Sequence, residues 1–295
     1  MDTTIPAPIA RTKSVSPTWR RFSEAFQRHP TALIGGAILI VMIAMAMLAP
    51  WLHTIDPQQV FPIKRLRPPS TASWFGTDML GRDVYSRVVY GARVSLVVGL
   101  AVAVLSMLFG LAIGLVTGYV RWLDGIIMRF MDGLMAIPAI LLAMGLVSLS
   151  RAGLLAVVVA IVVPEVPRVV RLVRSIVLSI REEPYVEAAI TLGTPTPTLL
   201  VRHVLPNTIA PLLVQGTFTC ASAILIEAVL SFLGIGIPPE TPTWGNIMAE
   251  GRSLFRIYPH NIFYPGVFLA CAVLAINMLG DGLRDTLDPR FAKRT

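Results

Sequence analysis

Val94-Ser-Leu-Val-Val-Gly-Leu-Ala-Val-Ala-Val-Leu-Ser-Met-Leu-Phe-Gly110-Leu-Ala-Ile-Gly114-Leu-Val-Thr-Gly118-Tyr-Val120 contains no Asp, Glu, Lys, Arg or His. An α-helix rises 1.5 Å per residue, so about 20 such residues cross the roughly 30 Å hydrocarbon core with every backbone polar group satisfied internally. Three other stretches meet the same condition: Pro30 to Leu52, Asn207 to Ile226 and Asn261 to Gly280. A fifth, Ile126 to Leu149, admits Arg129 and Asp132 only near its start, within snorkelling reach of an interface or paired with each other. The sixth is weaker. Ala152 to Pro164 is uncharged but short, and a full span must run through Glu165 and Arg168 toward Arg171, so five spans remain the alternative. The pattern predicts an all-α polytopic membrane protein of about six transmembrane helices.

Composition agrees. Of the 295 residues, 55% are hydrophobic and 14% charged, against roughly 25% charged in soluble domains. The formal net charge of +8 would suggest nucleic acid in a soluble protein. Here the basic residues flank apolar segments, where cytoplasmic loops and lipid headgroups favour them, and no nucleic-acid partner is expected. Cys220 and Cys271 lie in apolar stretches and read as small hydrophobes, not as a disulfide or metal site. The first apolar stretch exceeds a signal-peptide core and is expected to stay as an anchor.

Most of the 25 basic residues fall on the cytoplasmic side if both termini are inside. Residues 1–30 then form a cytoplasmic segment in which Trp19, Phe22 and Phe26 put an amphipathic helix, Pro17 to Arg28, on the inner leaflet. The first span covers 31–52, an external loop 53–93, the helical membrane core 94–280 and a cytoplasmic tail 281–295. In the loop, Pro57, Pro62, Pro68 and Pro69 exclude a long helix from the first half, while Gly81 to Ala92 fits an interfacial helix. Asp78, Arg82, Asp83 and Arg87 would be salt-bridged along that helix, as structural or gating candidates. Gly110, Gly114 and Gly118 recur every four residues and offer a small-residue face for a second membrane chain. Glu227 and Glu165 end apolar runs, where an acid caps, snorkels or marks a pathway.

The polar interruption from about Arg168 to His203 carries the most information. Arg168, Arg171 and Arg174 share one helical face, and Pro184 suits the first position of a new helix, Tyr185-Val-Glu187-Ala188-Ala189-Ile-Thr-Leu. Glu187 lies near its positive end, the alanines leave a thin surface, and Gly193 terminates it in the left-handed conformation. Thr194-Pro195-Thr196-Pro197 makes a turn, and a short helix from Thr198 to Val204 closes at Leu205-Pro206-Asn207. Taken alone, Glu-Ala-Ala is merely a solvated helix start.

The spacing Glu187-Ala188-Ala189, then Gly193, then His203-Val204-Leu205-Pro206, between two late apolar segments, resembles the EAA motif of ABC importer permeases. That pattern prefers isoleucine where this chain has His203. Three further blocks resemble the dipeptide, oligopeptide and nickel branch: Gly76-Thr77-Asp78 through Gly81-Arg82-Asp83 to Arg87, Glu227-Ala228 through Ser231-Phe232-Leu233-Gly234 to Thr243-Trp244-Gly245, and Gly280-Asp281-Gly282-Leu283-Arg284-Asp285 to Asp288-Pro289-Arg290. The last is similar to the ending of the C-type, second permease subunit.

The resemblance implies a multi-pass bacterial inner-membrane permease forming half of a pore. Dipeptides or oligopeptides are the favoured cargo, with nickel, glutathione or another small solute as the alternative. It implies a second homologous permease, two cytoplasmic ATPases that bind ATP and Mg, an external solute-binding protein and surrounding lipid as partners. Glu187, Ala188, Ala189, Gly193, His203, Leu205 and Pro206 would form the ATPase-coupling loop. No Gly-x-x-x-x-Gly-Lys-[Ser/Thr] loop occurs, so no cofactor, metal or catalytic residue is expected in this chain. Two rivals differ in kind. A secondary transporter would need midplane acids or broken helices, and an intramembrane enzyme a dry catalytic cluster.

Overall fold

A computed structural model describes residues 30–150 and 153–287. The amphipathic segment expected at Pro17 to Arg28, and Asp288 to Arg290 of the C-terminal block, lie outside the described residues. The described chain is helical: α1 (Pro30–Met47), α2 (Val84–Tyr119), α3 (Arg121–Ala136), α4 (Ala139–Leu149), α5 (Leu154–Arg181), α6 (Pro184–Thr191), α7 (Thr196–Leu199), α8 (Leu205–Phe232), α9 (Trp244–Gly251) and α10 (His260–Leu287).

Length and apolar composition let α1, α2, α10 and the Thr196–Phe232 stretch that contains α8 cross a membrane, and α3 with α4 would make a fifth span. The expectation of about six holds to that approximation, α5 being long enough at 28 residues but charged along its second half. Ile40, Leu100, Leu108, Phe109 and Leu274 are exposed on these helices. Such apolar surface suits acyl chains and not water.

Four elements differ from the expectation. The separate interfacial helix from Gly81 is absent, because Asp83 caps α2 by accepting from the Ser86 backbone N–H (2.8 Å) and nothing interrupts the helix for 36 residues. The span expected from Ile126 to Leu149 is broken by 91° between α3 and α4. Pro138 forces Ile137 out of the helical region (φ −91°, ψ 130°), so the helix cannot continue. The short helix expected from Thr198 starts at Thr196 and fuses through a π-turn, Leu200–Val204, with α8. Finally, α10 continues to Leu287, past the point where the tail was expected to begin.

The glycine stripe of α2 also has a different partner from the one expected. Gly114 and Gly118 lie so close to α5 that a Cβ would come within 2.7 Å of Val173 Cβ and 2.6 Å of Val177 Cβ, and Gly110 meets Val169 in the same way. Glycine here lets two helix backbones of one chain approach, with the valines as fully buried knobs. The stripe is therefore spent inside the fold. Gly35 of α1 similarly admits Ala275 and Met278 of α10.

The helices leave two polar ends. At one, Arg93 donates to the Met47 carbonyl (3.0 Å), Tyr85 to that of Leu52 (3.1 Å), and α9 packs on the start of α2. At the other, Arg181 at the end of α5 reaches the Tyr119 carbonyl (3.5 Å) at the end of α2.

Candidate functional site

The hairpin from Pro184 to Val204 projects from the end where α5 stops and α8 begins. Glu183 is extended (φ −75°, ψ 137°) and Pro184 opens α6, with Glu187 in its first turn. The helix stops in a Schellman arrangement: Gly193 takes φ +78°, its N–H donates to Ile190 O (2.9 Å), and Thr194 N–H donates to Ala189 O (3.0 Å). A Cβ at Gly193 would meet nothing within 4 Å. The glycine is required by its backbone sign alone.

Val186, Ala189, Leu199 and Val204 turn inward and pack with Val169, Val173, Val177 and Ile180 of α5 and Leu212 of α8. The outward face presents Glu187, Ala188, Tyr185, Ile190 and Leu192, the last 86% exposed. Ala189 thus belongs to the base of the hairpin, not to the thin surface expected of both alanines. Tyr185 ties α6 to α8: its hydroxyl accepts from Asn207 Nδ2 (3.3 Å), and its ring lies 6.2 Å from that of His203. Pro206 is exposed while His203 and Leu205 are half-buried. An apolar tip on a rigid base, continuous with two long helices, is suited to seating in another protein and transmitting its displacement.

The opposite end holds a buried ionic cluster. Asp78 accepts from Arg82 Nε (2.7 Å), Arg87 Nη1 (2.8 Å) and the backbone N–H groups of Leu80 (2.8 Å) and Arg82 (2.9 Å). Both arginines also bind Glu250 of α9, Arg87 through Nη1 to Oε2 (2.5 Å) and Nη2 to Oε1 (3.0 Å). Asp83 stands apart as the α2 cap, also accepting from Ser86 Oγ (2.7 Å). Of the four candidates expected along one helix, three are brought together, Asp78 and Arg82 from a turn before α2 and Arg87 from its first turn. Glu250 completes the cluster and was not singled out in the sequence.

Glu227 neither snorkels nor caps. It is fully buried inside α8 and accepts from Ser231 Oγ (2.8 Å) and Ser95 Oγ (3.4 Å). The Ser95 hydroxyl accepts from Trp244 N–H (3.4 Å), and the Trp244 indole donates to Val88 O (3.1 Å), so Glu227 helps join α2, α8 and α9.

The arginine face of α5 pairs rung by rung with acids. Arg168 binds Glu165 (2.9 Å), Arg171 binds Asp132 (2.7 Å), and Arg174 holds both oxygens of Asp124 (2.5 and 2.6 Å). Three-residue spacing was the sequence signal, but the partners on α3 are about 40 to 50 positions away and follow no local pattern.

Comparison with known proteins places this architecture. Residues 106–293 match a family profile described as binding-protein-dependent transport system inner membrane component, and residues 17–69 match the N-terminal TM domain of oligopeptide transport permease C. A probable peptide ABC transporter permease of Sinorhizobium fredii is 55% identical over 268 residues, 91% of this chain and 92% of that one. A dipeptide transport system permease of Alkalihalophilus pseudofirmus is 40% identical over 287 residues, 97% and 94% of the two chains. A glutathione transport system permease of Pectobacterium atrosepticum is 40% identical over 286 residues, 96% and 95%. Among solved structures, the methionine ABC transporter MetNI in inward-facing conformations shares the fold at TM-score 0.55 and 19% identity, over 68% of this chain and 96% of that one. The chain is an integral membrane protein and belongs to the family of inner-membrane components of binding-protein-dependent transport systems.

Proposed function

We propose that this chain forms half of the translocation pore of an ATP-driven importer of dipeptides or oligopeptides, and that the Pro184–Val204 hairpin is where the motor engages it. The cargo reading rests on relatives named for peptide and dipeptide transport, and glutathione, named for another relative, is itself a small peptide. The other half is a second homologous permease. Two cytoplasmic ATPases supply ATP and Mg chemistry, and an external solute-binding protein delivers the cargo. Both termini and the hairpin are cytoplasmic, while the 53–93 loop and the Asp78 cluster are external.

The observation that carries the coupling role is the contrast between the two faces of the Pro184–Val204 hairpin. Leu192 and Ile190 are exposed at the tip, whereas Val186 and Leu199 beneath them are fully buried against α5 and α8. Burying each exposed aliphatic side chain in a partner groove is worth about 1.5–3 kcal/mol. The buried base then passes a push on the tip to both long helices as a rigid body, which is how a bundle switches between two discrete packings.

The test is to co-express the chain with its candidate partners, reconstitute the complex and measure ATP-dependent uptake of a labelled dipeptide. Uptake that survives nucleotide depletion but stops when the proton gradient collapses would replace this reading with a secondary transporter. Reporter fusions at residue 70 and after residue 295 test the topology, which requires opposite sides.

A further inference from the structure

The middle of α5 has one exposed residue. From Ala160 to Val170 all residues except half-buried Val163 and exposed Arg168 are buried. That single opening is charged. The helix runs 28 residues, about 42 Å at 1.5 Å per residue, and Arg168 stands near its midpoint, about 20 Å from either end. Its side chain is 47% exposed, and one turn further Arg171 and its partner Asp132 are 51% and 59% exposed.

With α5 crossing the bilayer in the topology proposed above, a charged group at its midpoint is not turned toward acyl chains, because hydrocarbon penalises arginine and aspartate more heavily than any other contact the bilayer offers. Water or another polar group must face it. Behind the opening, Glu165 is 1% exposed in its side chain, accepts from Arg168 Nη1 (2.9 Å) and lies 3.5 Å from Ser222 Oγ of α8. Among the described residues this is the only hydrogen bond the Arg168 side chain makes. The guanidinium is therefore held at one edge and free at the others. Such an edge matches a carboxylate, with two parallel N–H donors available to its two oxygens.

We infer that Arg168 contacts the substrate in the translocation pathway, receiving the carboxylate of a passing peptide, with Glu165 as the positioning residue that fixes the guanidinium from behind. Arg171 with Asp132, one turn along, continues the polar lining and offers both charge signs to a zwitterion. Because each arginine already has an acid partner, the carboxylate is exchanged between partly neutralised sites and is not trapped, as conduction through a pathway requires. This inference rests on the peptide reading given above.

Two measurements test it in the complete reconstituted transporter. The first places Arg168→Cys in a Cys220→Ser, Cys271→Ser background and follows modification by a charged methanethiosulfonate reagent. Reaction at least tenfold faster than at Leu108→Cys, an exposed position on the apolar surface of α2, is expected. Equal rates would mean that no water reaches position 168 and would overturn the inference.

The second follows uptake of labelled glycyl-leucine per ATP hydrolysed. Arg168→Gln is expected to lower it about tenfold, Arg168→Lys to recover only part of that loss because it keeps the charge and not the two parallel donors, and Glu165→Gln to fall between. Wild-type uptake with an unaffected Arg168→Gln variant overturns this assignment alone. A wild-type complex that takes up neither glycyl-leucine nor any member of a mixed dipeptide and oligopeptide pool overturns the peptide reading of the whole chain, and the contact assigned to Arg168 with it.

Discussion

Arg87, on the first turn of α2, grips both carboxylate oxygens of Glu250 on α9, 163 positions later in the chain, while its Nη1 also reaches Asp78. The Arg87 and Asp78 side chains are 1% and 4% exposed. Buried ions that satisfy one another add little net stability, but removing one leaves the rest desolvated and unpaired.

Arg87→Met should therefore destabilise the protein by about 3 kcal/mol, the low end for a broken buried pair because Arg82 still serves Asp78. Glu250→Gln, at a position 23% exposed, should cost less, about 1–2 kcal/mol. Thermal unfolding in detergent reads both. Equal midpoints for wild type and Arg87→Met would show that the cluster is not what joins the loop before α2 to α9.

The α2–α5 contact gives a steric prediction. A side chain at Gly114 starts with its Cβ 2.7 Å from Val173 Cβ and 3.0 Å from Val170 O. Gly114→Leu should overpack the contact by about 1–3 kcal/mol or prevent folding. Adding Val173→Ala should return part of the loss, because it removes the Cγ1 methyl that stands 2.9 Å from the new Cβ. Recovery is read as yield of monodisperse protein, and an undiminished Gly114→Leu variant would refute the packing.

These two contacts also mark how far the sequence can be read. The uncharged stretches behind α1, α2, α8 and α10 were legible because crossing a bilayer imposes a length and a composition that no other fold needs. The hairpin was legible because Pro184 and Gly193 state a helix start and stop locally. Glu250 was not, since nothing near it in the chain announces a partner 163 positions away. The glycine stripe of α2 was visible, but a small-residue face specifies close approach without saying to what. The valines of α5 that fill it, at 169, 173 and 177, repeat with the same four-residue period, and reading the two stripes together would have paired them. The break at Ile137 was signalled by Pro138 and hidden by the apolar run on either side.

Arg174 and Asp124 tie the bent α3 to the helix that leads into the hairpin, through two parallel hydrogen bonds of 2.5 and 2.6 Å. At 29% and 23% exposure the pair is worth about 1 kcal/mol, and each single reversal should lose at least that through like-charge repulsion. The double reversal, Asp124→Arg with Arg174→Asp, should recover most of it. A double variant no better than the singles, in thermal stability and in uptake, would separate α3 from the motion of α5.

The final prediction concerns Gly193, where backbone sign and not space decides the outcome. Its φ of +78° lies in the left-handed region and a Cβ there would touch nothing. Asparagine tolerates that region, while valine does not, at a cost of roughly 1–2 kcal/mol. Gly193→Asn should therefore behave nearly as wild type. Gly193→Val should unlatch the two capping hydrogen bonds, Gly193 N–H to Ile190 O and Thr194 N–H to Ala189 O, and misaim Leu192. The buried base of the hairpin packs through Val186, Ala189, Leu199 and Val204, away from the substituted residue, so insertion and folding of the long helices should persist. Glu187→Lys tests the same surface by another route, setting a positive charge at the positive end of α6. For Gly193→Val and Glu187→Lys, capture of the ATPase chain in a pull-down and transport-stimulated ATP hydrolysis should both fall, with binding-protein docking at the other end retained. If Gly193→Val matches Gly193→Asn in both assays, the cap is not what aims the tip. If Glu187→Lys is also normal, the hairpin does not carry the motor's push.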